Sequence, residues 1–338
     1  MKNPNNNIWY PALVLSCMLL VAGCEKDAVS NAESNEPVEL QIAPTVALTR
    51  GVIQGGEQSG SGATFMKNVA VYATGDDYAA GNNYAVYTNK TSSWGNDGSD
   101  HIYLTHKPAT IYGYYPTTNK YNAGAIQVTL LTGTDATTIT ATDNASTTDI
   151  AAASEEVDYM WATEVQDVTN SSNSINLTMS HALSMLSFRV YKESYSGTGR
   201  LTKIVVKDIN TSGTTLATGT DLNMSITTGT ITGTLTDATF TRVISNYTLG
   251  TSKTANKVSM LVLPINETVG TNKIQAIFTV DGADYTVNLT APTDNEGKWL
   301  AGKNNLYTVK LSGTELSVTT VSVASWADNA VEGDLTIN

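Results

Sequence analysis

Beyond Gly62 no run of about a dozen residues carries a helical repeat; apolar side chains recur with a period of two, in short runs broken by Gly, Asn, Asp and Pro. A strand sends successive side chains to opposite faces, so such runs must stack as sheets to bury their apolar face. In the first half they fall at Asn68–Thr74, Ala85–Asn89, His101–Leu104, Ala109–Tyr115, Ile126–Leu131, Tyr159–Val165 and Ser174–Met179. The second half repeats them at Ala182–Tyr191, Leu201–Ile209, Thr227–Thr236, Lys257–Leu263, Lys273–Val280, Asp284–Leu289 and Asn305–Leu311. About seven strands per half predict an all-β chain of two tandem β-sandwiches, divided near Met179–Leu183. A length of 338 residues suits two such domains, each able to bury a core.

Local chemistry fixes some of the turns. Ile274, Ala276, Phe278 and Val280 alternate up to Asp281-Gly282, and Tyr285, Val287 and Leu289 alternate after it, which predicts a hairpin whose turn has positive φ. Late in the chain Leu316 and Val318 share one parity, Val321 and Val323 the other. Both pairs can be buried only if a bulge or turn intervenes near Thr319. The stretch from Thr132 to Ser154 is long and poor in large apolar groups, and is expected to be an exposed excursion.

The N-terminus reads differently. Lys2 precedes an apolar run from about Ala12 to Ala22, too short to span a membrane permanently, and then Val21-Ala22-Gly23-Cys24. This is an export signal, and the small residues before Cys24 resemble the lipobox at which lipoprotein signal peptidase cuts. On that reading residues 1–23 are removed together with Cys17, Cys24 becomes the acylated N-terminus that anchors the chain to the outer membrane, and no cysteine remains for a disulfide. Residues up to Pro37 form a polar tether. From there Val38, Leu40 and Ile42 alternate with polar or small residues, and Val46 and Leu48 resume the period after Pro44, so this leader can cover one face of a sheet. Arg50 is the sole Lys or Arg between Lys26 and Lys67, and glycine-rich sequence from Gly51 follows it. It is either an ordinary exposed arginine or a target for an arginine-specific or trypsin-like protease.

Other functions are poorly served. With 19 basic against 31 acidic residues and a net charge of −12, the chain lacks the basic patch that nucleic acid requires. His101 and His106 fall on opposite faces of a strand, and Asn96, Asp97 and Asp100 miss the calcium-loop spacing, so no metal is expected. His181 is read as structural, and neither a Gly-x-Ser-x-Gly elbow nor a phosphate loop is present, so we expect no enzyme and no cofactor. Tyr103, Tyr112, Tyr114, Tyr115 and Tyr121 with Trp94 could stack on a sugar of a host or bacterial surface, although core packing accounts for part of the set.

Several segments together resemble the Bacteroidetes fimbrillin family, including its Mfa-like branch: Thr110-Ile111-Tyr112-Gly113-Tyr114-Tyr115-Pro116, Asp158-Tyr159-Met160-Trp161-Ala162, Ile175 to Leu183, Gly297 to Tyr307 and Val323-Ala324-Ser325-Trp326. The resemblance implies a type V pilus subunit of two transthyretin-like sandwiches, exported as a lipoprotein, whose N-terminal strand an arginine-specific protease removes. Carried to this chain, residues 24–50 are a propeptide cut between Arg50 and Gly51, and 51–180 and 181–338 are the two domains. Val38, Leu40, Ile42, Val46 and Leu48 would then fill a groove in the first domain until cleavage. A C-terminal segment bearing Leu316, Val318, Val321, Val323 and Leu335 of the next subunit would replace them. The other reading is a tip or surface-anchored adhesin that binds a glycan or protein and forms no stalk.

Overall fold

A computed structural model describes residues 36–46, 67–90, 93–117, 120–132, 138–140, 150–151, 156–253, 257–313 and 315–325. They are all-β apart from one 3-10 turn at Thr293–Asn295. The first sheet runs in the order Gln41–Val46, Ser174–His181, Met160–Ala162, Ala109–Tyr115, Asn68–Thr74, Tyr84–Asn89 and Trp94–Gly95, with Val165–Val168 also pairing to Ala109–Tyr115. Its strands form because they alternate. Along Ser174–His181 the buried residues are Ile175, Leu177, Met179 and His181, with more exposed polar side chains between them.

Two further sheets have five strands each. One is ordered Ile150–Ala151, Lys257–Val262, Ser184–Glu193, Lys303–Ser312, Glu315–Ser325, the other Ala283–Leu289, Ile274–Val280, Arg200–Asp208, Thr239–Thr248, Thr138–Thr140. They meet face to face. Phe188 of the first packs edge-on to Phe278 of the second with ring centres 5.3 Å apart, and Tyr307 stacks on Phe188 at 5.7 Å. Lys257–Val262, inside its sheet, is buried along its whole length.

The chain passes from the first sheet to the others between His181 and Ser184. Two clusters of buried apolar side chains result. The smaller is made only from residues between Leu40 and Met179, whereas the larger gathers the second half and also takes in Ala70, Tyr84, Tyr114 and Tyr159.

The Asp281-Gly282 hairpin is present, with φ of 49° and 82° and Val280 opposite Ala283. So is the late bulge: Thr308 faces Thr320 but Val309 faces Val318, which leaves Thr319 as the extra residue. Its hydroxyl donates to the Thr308 carbonyl at 3.0 Å. Two expectations need correction. The 132–154 excursion is not simply an exposed loop, because Thr138–Thr140 pairs parallel with Thr239–Thr248 and Ile150–Ala151 pairs parallel with Lys257–Val262, adding a strand to each five-stranded sheet. Within 227–236 only Ile231–Thr232 and the start of Thr236–Asp237 are extended, while the long strand lies just after, at Thr239–Thr248.

Candidate functional site

The leader enters the first sheet through its backbone and the smaller core through two side chains. Gln41–Val46 runs parallel to Ser174–His181, with Gln41 opposite Ser174 and Val46 opposite Met179. Ahead of it Val38 and Glu39 pair antiparallel with Leu104 and Tyr103. Leu40, between the two pairings, is 0% exposed and Ile42 6%. Burying two such side chains is worth about 1.5–3 kcal/mol each.

Alternate residues of an extended chain address opposite edges. The Gln41 N–H donates to the Asn173 carbonyl at 2.7 Å, and the Leu40 N–H turns the other way, to the Ile102 carbonyl at 3.0 Å. Pro44 has the parity of Leu40, so its missing N–H falls on the outward edge of a strand that is last in its sheet. Within the smaller core Gly113 lets neighbouring strands pack closely: a methyl there would stand 3.1 Å from Leu177 Cδ1 and 3.2 Å from Ala162 Cβ.

Three side chains grip the leader by its carbonyls. The Tyr87 hydroxyl donates to Leu40 O at 2.7 Å, Asn173 Nδ2 to Glu39 O at 2.8 Å and Asn170 Nδ2 to Glu36 O at 3.0 Å. Burial, with the Glu39 carboxylate adding to it, pushes the Tyr87 hydroxyl far above the usual tyrosine range, so it remains a proton donor. One leader side chain is also recognised: Glu39 Oε1 lies 2.7 Å from His101 Nδ1, a contact that requires the hydrogen on that nitrogen.

Of the leader residues expected in the groove, Leu40 and Ile42 occupy it. Val38 does not; it is 36% exposed, because it lies ahead of the point where Ser174–His181 begins to run alongside and is covered only by its short pairing at Leu104. Val46 is placed opposite Met179, but its side chain lies outside the described residues, as do Cys24, Leu48, Arg50 and Gly51. Leu316, Val318, Val321 and Val323 lie on Glu315–Ser325, at the edge of their own sheet and paired to Lys303–Ser312. The first three pack on the larger core. The structure therefore seats them at home and does not bring them to the leader groove; Leu335 lies outside the described residues.

The aromatic set divides. Tyr114 and Tyr115 are buried, and Tyr103 is exposed. Tyr121 helps line an open hollow of about 300 Å³ with Tyr72, Tyr84, Asn83 and Lys120. Its ring faces are already engaged: Tyr72 and Tyr121 have ring centres 3.8 Å apart, and Lys120 Nζ sits 4.5 Å above the Tyr84 ring. His181, read as structural, is buried with Nδ1 2.7 Å from Asp158 Oδ2. Asn96 donates to Asp100 O at 2.6 Å and accepts from the Gly98 N–H at 2.9 Å, and its Nδ2 also lies 3.3 Å from His101 Nδ1.

Sequence reading passed over Tyr87, Asn170 and Asn173, which lie far along the chain from the carbonyls they hold and carry no local pattern. It also passed over the buried Arg242–Glu156 ion pair. There Nε donates to Glu156 Oε1 at 3.1 Å, Nη2 donates to the Leu131 carbonyl at 2.9 Å, and Glu156 Oε2 accepts from the Leu261 N–H at 3.1 Å.

Comparison with solved structures supports the architecture. A candidate cell adhesion protein from Bacteroides uniformis ATCC 8492 superposes with a TM-score of 0.58 at 19% identity, covering 86% of this chain and 99% of that one. Another, from Bacteroides ovatus ATCC 8483, gives 0.56 at 16% identity over 86% and 98%. A fimbrial protein from Bacteroides vulgatus ATCC 8482 gives 0.50 at 15% identity over 85% and 99%. Comparison with curated proteins gave no match. The profile described as fimbrillin-like matches residues 48–326, most of the sequence, so the chain belongs to the fimbrillin-like family.

Proposed function

We propose that the chain is the precursor of a cell-surface fimbrial subunit in which cleavage after Arg50 releases residues 24–50 and a strand from a neighbouring subunit then takes the leader's place. Membership of the fimbrillin-like family gives a fimbrial, adhesion-related role among structural, non-enzymatic proteins. The observation that carries the finer reading is the burial of Leu40 and Ile42 in the smaller core by a segment that precedes a lone arginine. A strand held by its own backbone and two side chains can be replaced by another strand, and the occupied groove keeps the precursor from joining a neighbour early. Acylation of Cys24 would hold that precursor on the outer membrane until an arginine-specific or trypsin-like protease acts. The partition into 51–180 and 181–338 is supported by the change of sheet between His181 and Ser184, although Thr138–Thr140 and Ile150–Ala151 cross to the sheets of the second half. A head-to-tail contact of this kind builds an open filament.

The test is Arg50→Ala. It should leave the full-length lipoprotein on the membrane and abolish polymers, while N-terminal sequencing of the wild-type surface form should begin at Gly51. Polymers of normal length from the variant would overturn the proposal. The hollow lined by Tyr72, Tyr84 and Tyr121 favours a second reading, a tip adhesin that binds a glycan. We rank it below the first because its ring faces are already covered, and binding of a surface saccharide that Tyr121→Ala abolishes would reverse that order.

A further inference from the structure

We infer that the hollow beside Tyr72, Tyr84 and Tyr121 is a site for an acidic saccharide, a single sugar unit that carries one carboxylate. The inference rests on the saccharide reading of that hollow and adds the ligand class. It holds for a stalk or a tip subunit and does not depend on cleavage at Arg50.

Two loops form the walls. One follows Asn68–Thr74 and brings Ala80, Gly81 and Asn83; the other brings Lys120, Tyr121 and Asn122. Main-chain bonds set both loops. The Ala73 N–H donates to the Asn83 carbonyl at 2.9 Å and the Asn82 N–H to the Ala79 carbonyl at 3.0 Å. In the second loop the Tyr121 N–H donates to the Tyr114 hydroxyl at 2.9 Å, and Asn122 and Ala125 exchange main-chain bonds of 3.1 and 3.2 Å. A ligand entering such a site loses little free energy to ordering it.

The ring contacts count against stacking and leave polar edges to bind. Tyr72 and Tyr121 close on each other, and the Tyr72 hydroxyl accepts from Asn83 Nδ2 at 3.4 Å. The Tyr84 hydroxyl is hydrogen-bonded to Tyr114, and its ring lies under Lys120 Nζ. The lining therefore offers hydroxyls and carboxamides, which both donate and accept, with an ammonium group among them.

Charge narrows the class. The net charge of the chain is −12, yet among the described residues lining the hollow Lys120 alone is charged. Asp100 Oδ2 lies 3.8 Å from Lys120 Nζ, and the two side chains are 57% and 66% exposed. A contact so long and so well solvated is weak, and a ligand carboxylate can take its place. A phosphate group is better served by several donors of positive charge, and an aromatic ligand by an open ring face. A polyhydroxylated ring with one carboxylate suits both the edges and the lone cation. The volume of about 300 Å³ stands at the lower end for small-molecule sites, which suits one sugar unit and not an extended chain.

The experiment titrates the full exported chain, and the chain cut after Arg50, by calorimetry. The probes are methyl glucuronoside, methyl galacturonoside and N-acetylneuraminic acid, the methyl ester of each, and acetate. At least one acidic sugar should bind roughly tenfold or more tightly than its uncharged ester and than acetate, and equally in both forms of the chain. Lys120→Met should remove that preference, and Lys120→Arg should retain it. Asp100→Asn removes the competing carboxylate and should tighten binding of the acid roughly two- to fivefold. Equal binding of acid and ester would overturn the acidic class and leave the saccharide reading standing. Acetate binding as tightly as the acidic sugars, or Lys120→Met matching the wild type, would overturn the assignment of this site. Failure of every sugar would overturn both the inference and the saccharide reading, without touching the outcome of Arg50→Ala.

Discussion

The two cores differ in what completes them. The larger is closed by its own strands: the 132–154 segment adds Thr138–Thr140 and Ile150–Ala151 to one edge of each sheet, and Arg242 with Glu156 ties Thr239–Thr248 to the Leu261 backbone. The smaller core is finished by a segment that stands before Arg50, contributing Leu40 and Ile42 and the last strand of its sheet. One core thus ends on a strand from ahead of Arg50, the other on edge strands from the body of the chain.

Substitutions can break this contrast. The largest effect is expected at the larger core, where Trp299 is 0% exposed and its Nε1 donates to the Tyr307 hydroxyl at 3.1 Å. Trp299→Ala should cost about 3–5 kcal/mol in chemical denaturation, equally before and after cleavage at Arg50. Leu40→Ala should cost about 2–5 kcal/mol in the precursor and nothing once the leader has gone. Equal losses in both forms would remove the distinction between the cores. Tyr87→Phe should cost about 0.5–1.5 kcal/mol, again only with the leader in place.

The smallest effect is acid-dependent. Asp281 accepts from the Gly199 and Arg200 N–H groups, each at 2.8 Å, and these bonds hold its carboxyl below the usual range. A depressed folded-state value means stability that is present above the unfolded aspartate value of about 3.9 and lost as pH falls through the folded one. Asp281→Asn should therefore lower the denaturation midpoint at neutral pH by the equivalent of less than about 1 kcal/mol, solvent screening included. The deficit should shrink below about pH 4. A constant deficit down to pH 2 would show that the carboxylate charge plays no part.

Much of the architecture was legible because alternation is a local signal. Asn68–Thr74, Ala109–Tyr115, the Asp281-Gly282 hairpin and the Thr319 bulge can all be read from side-chain parity and turn residues. Thr239–Thr248 was missed because Phe240, Arg242 and Ile244 share its inward face, and a cation there breaks the apolar pattern until its partner Glu156 is known. The parallel pairings of 138–140 and 150–151 depend on distant edges that need a strand, not on their own residues. At the groove Leu40 and Ile42 could be read, whereas the grip of Tyr87, Asn170, Asn173 and His101 arises only when the chain brings together positions far apart in sequence.

Pro44 bears on what the margin of the first sheet can pair with. An unbroken row of outward amide hydrogens along an edge strand would invite another strand to pair there. The ring of Pro44 removes one rung from that row, so the same residue that tolerates its place on the margin also discourages the wrong ladder from starting.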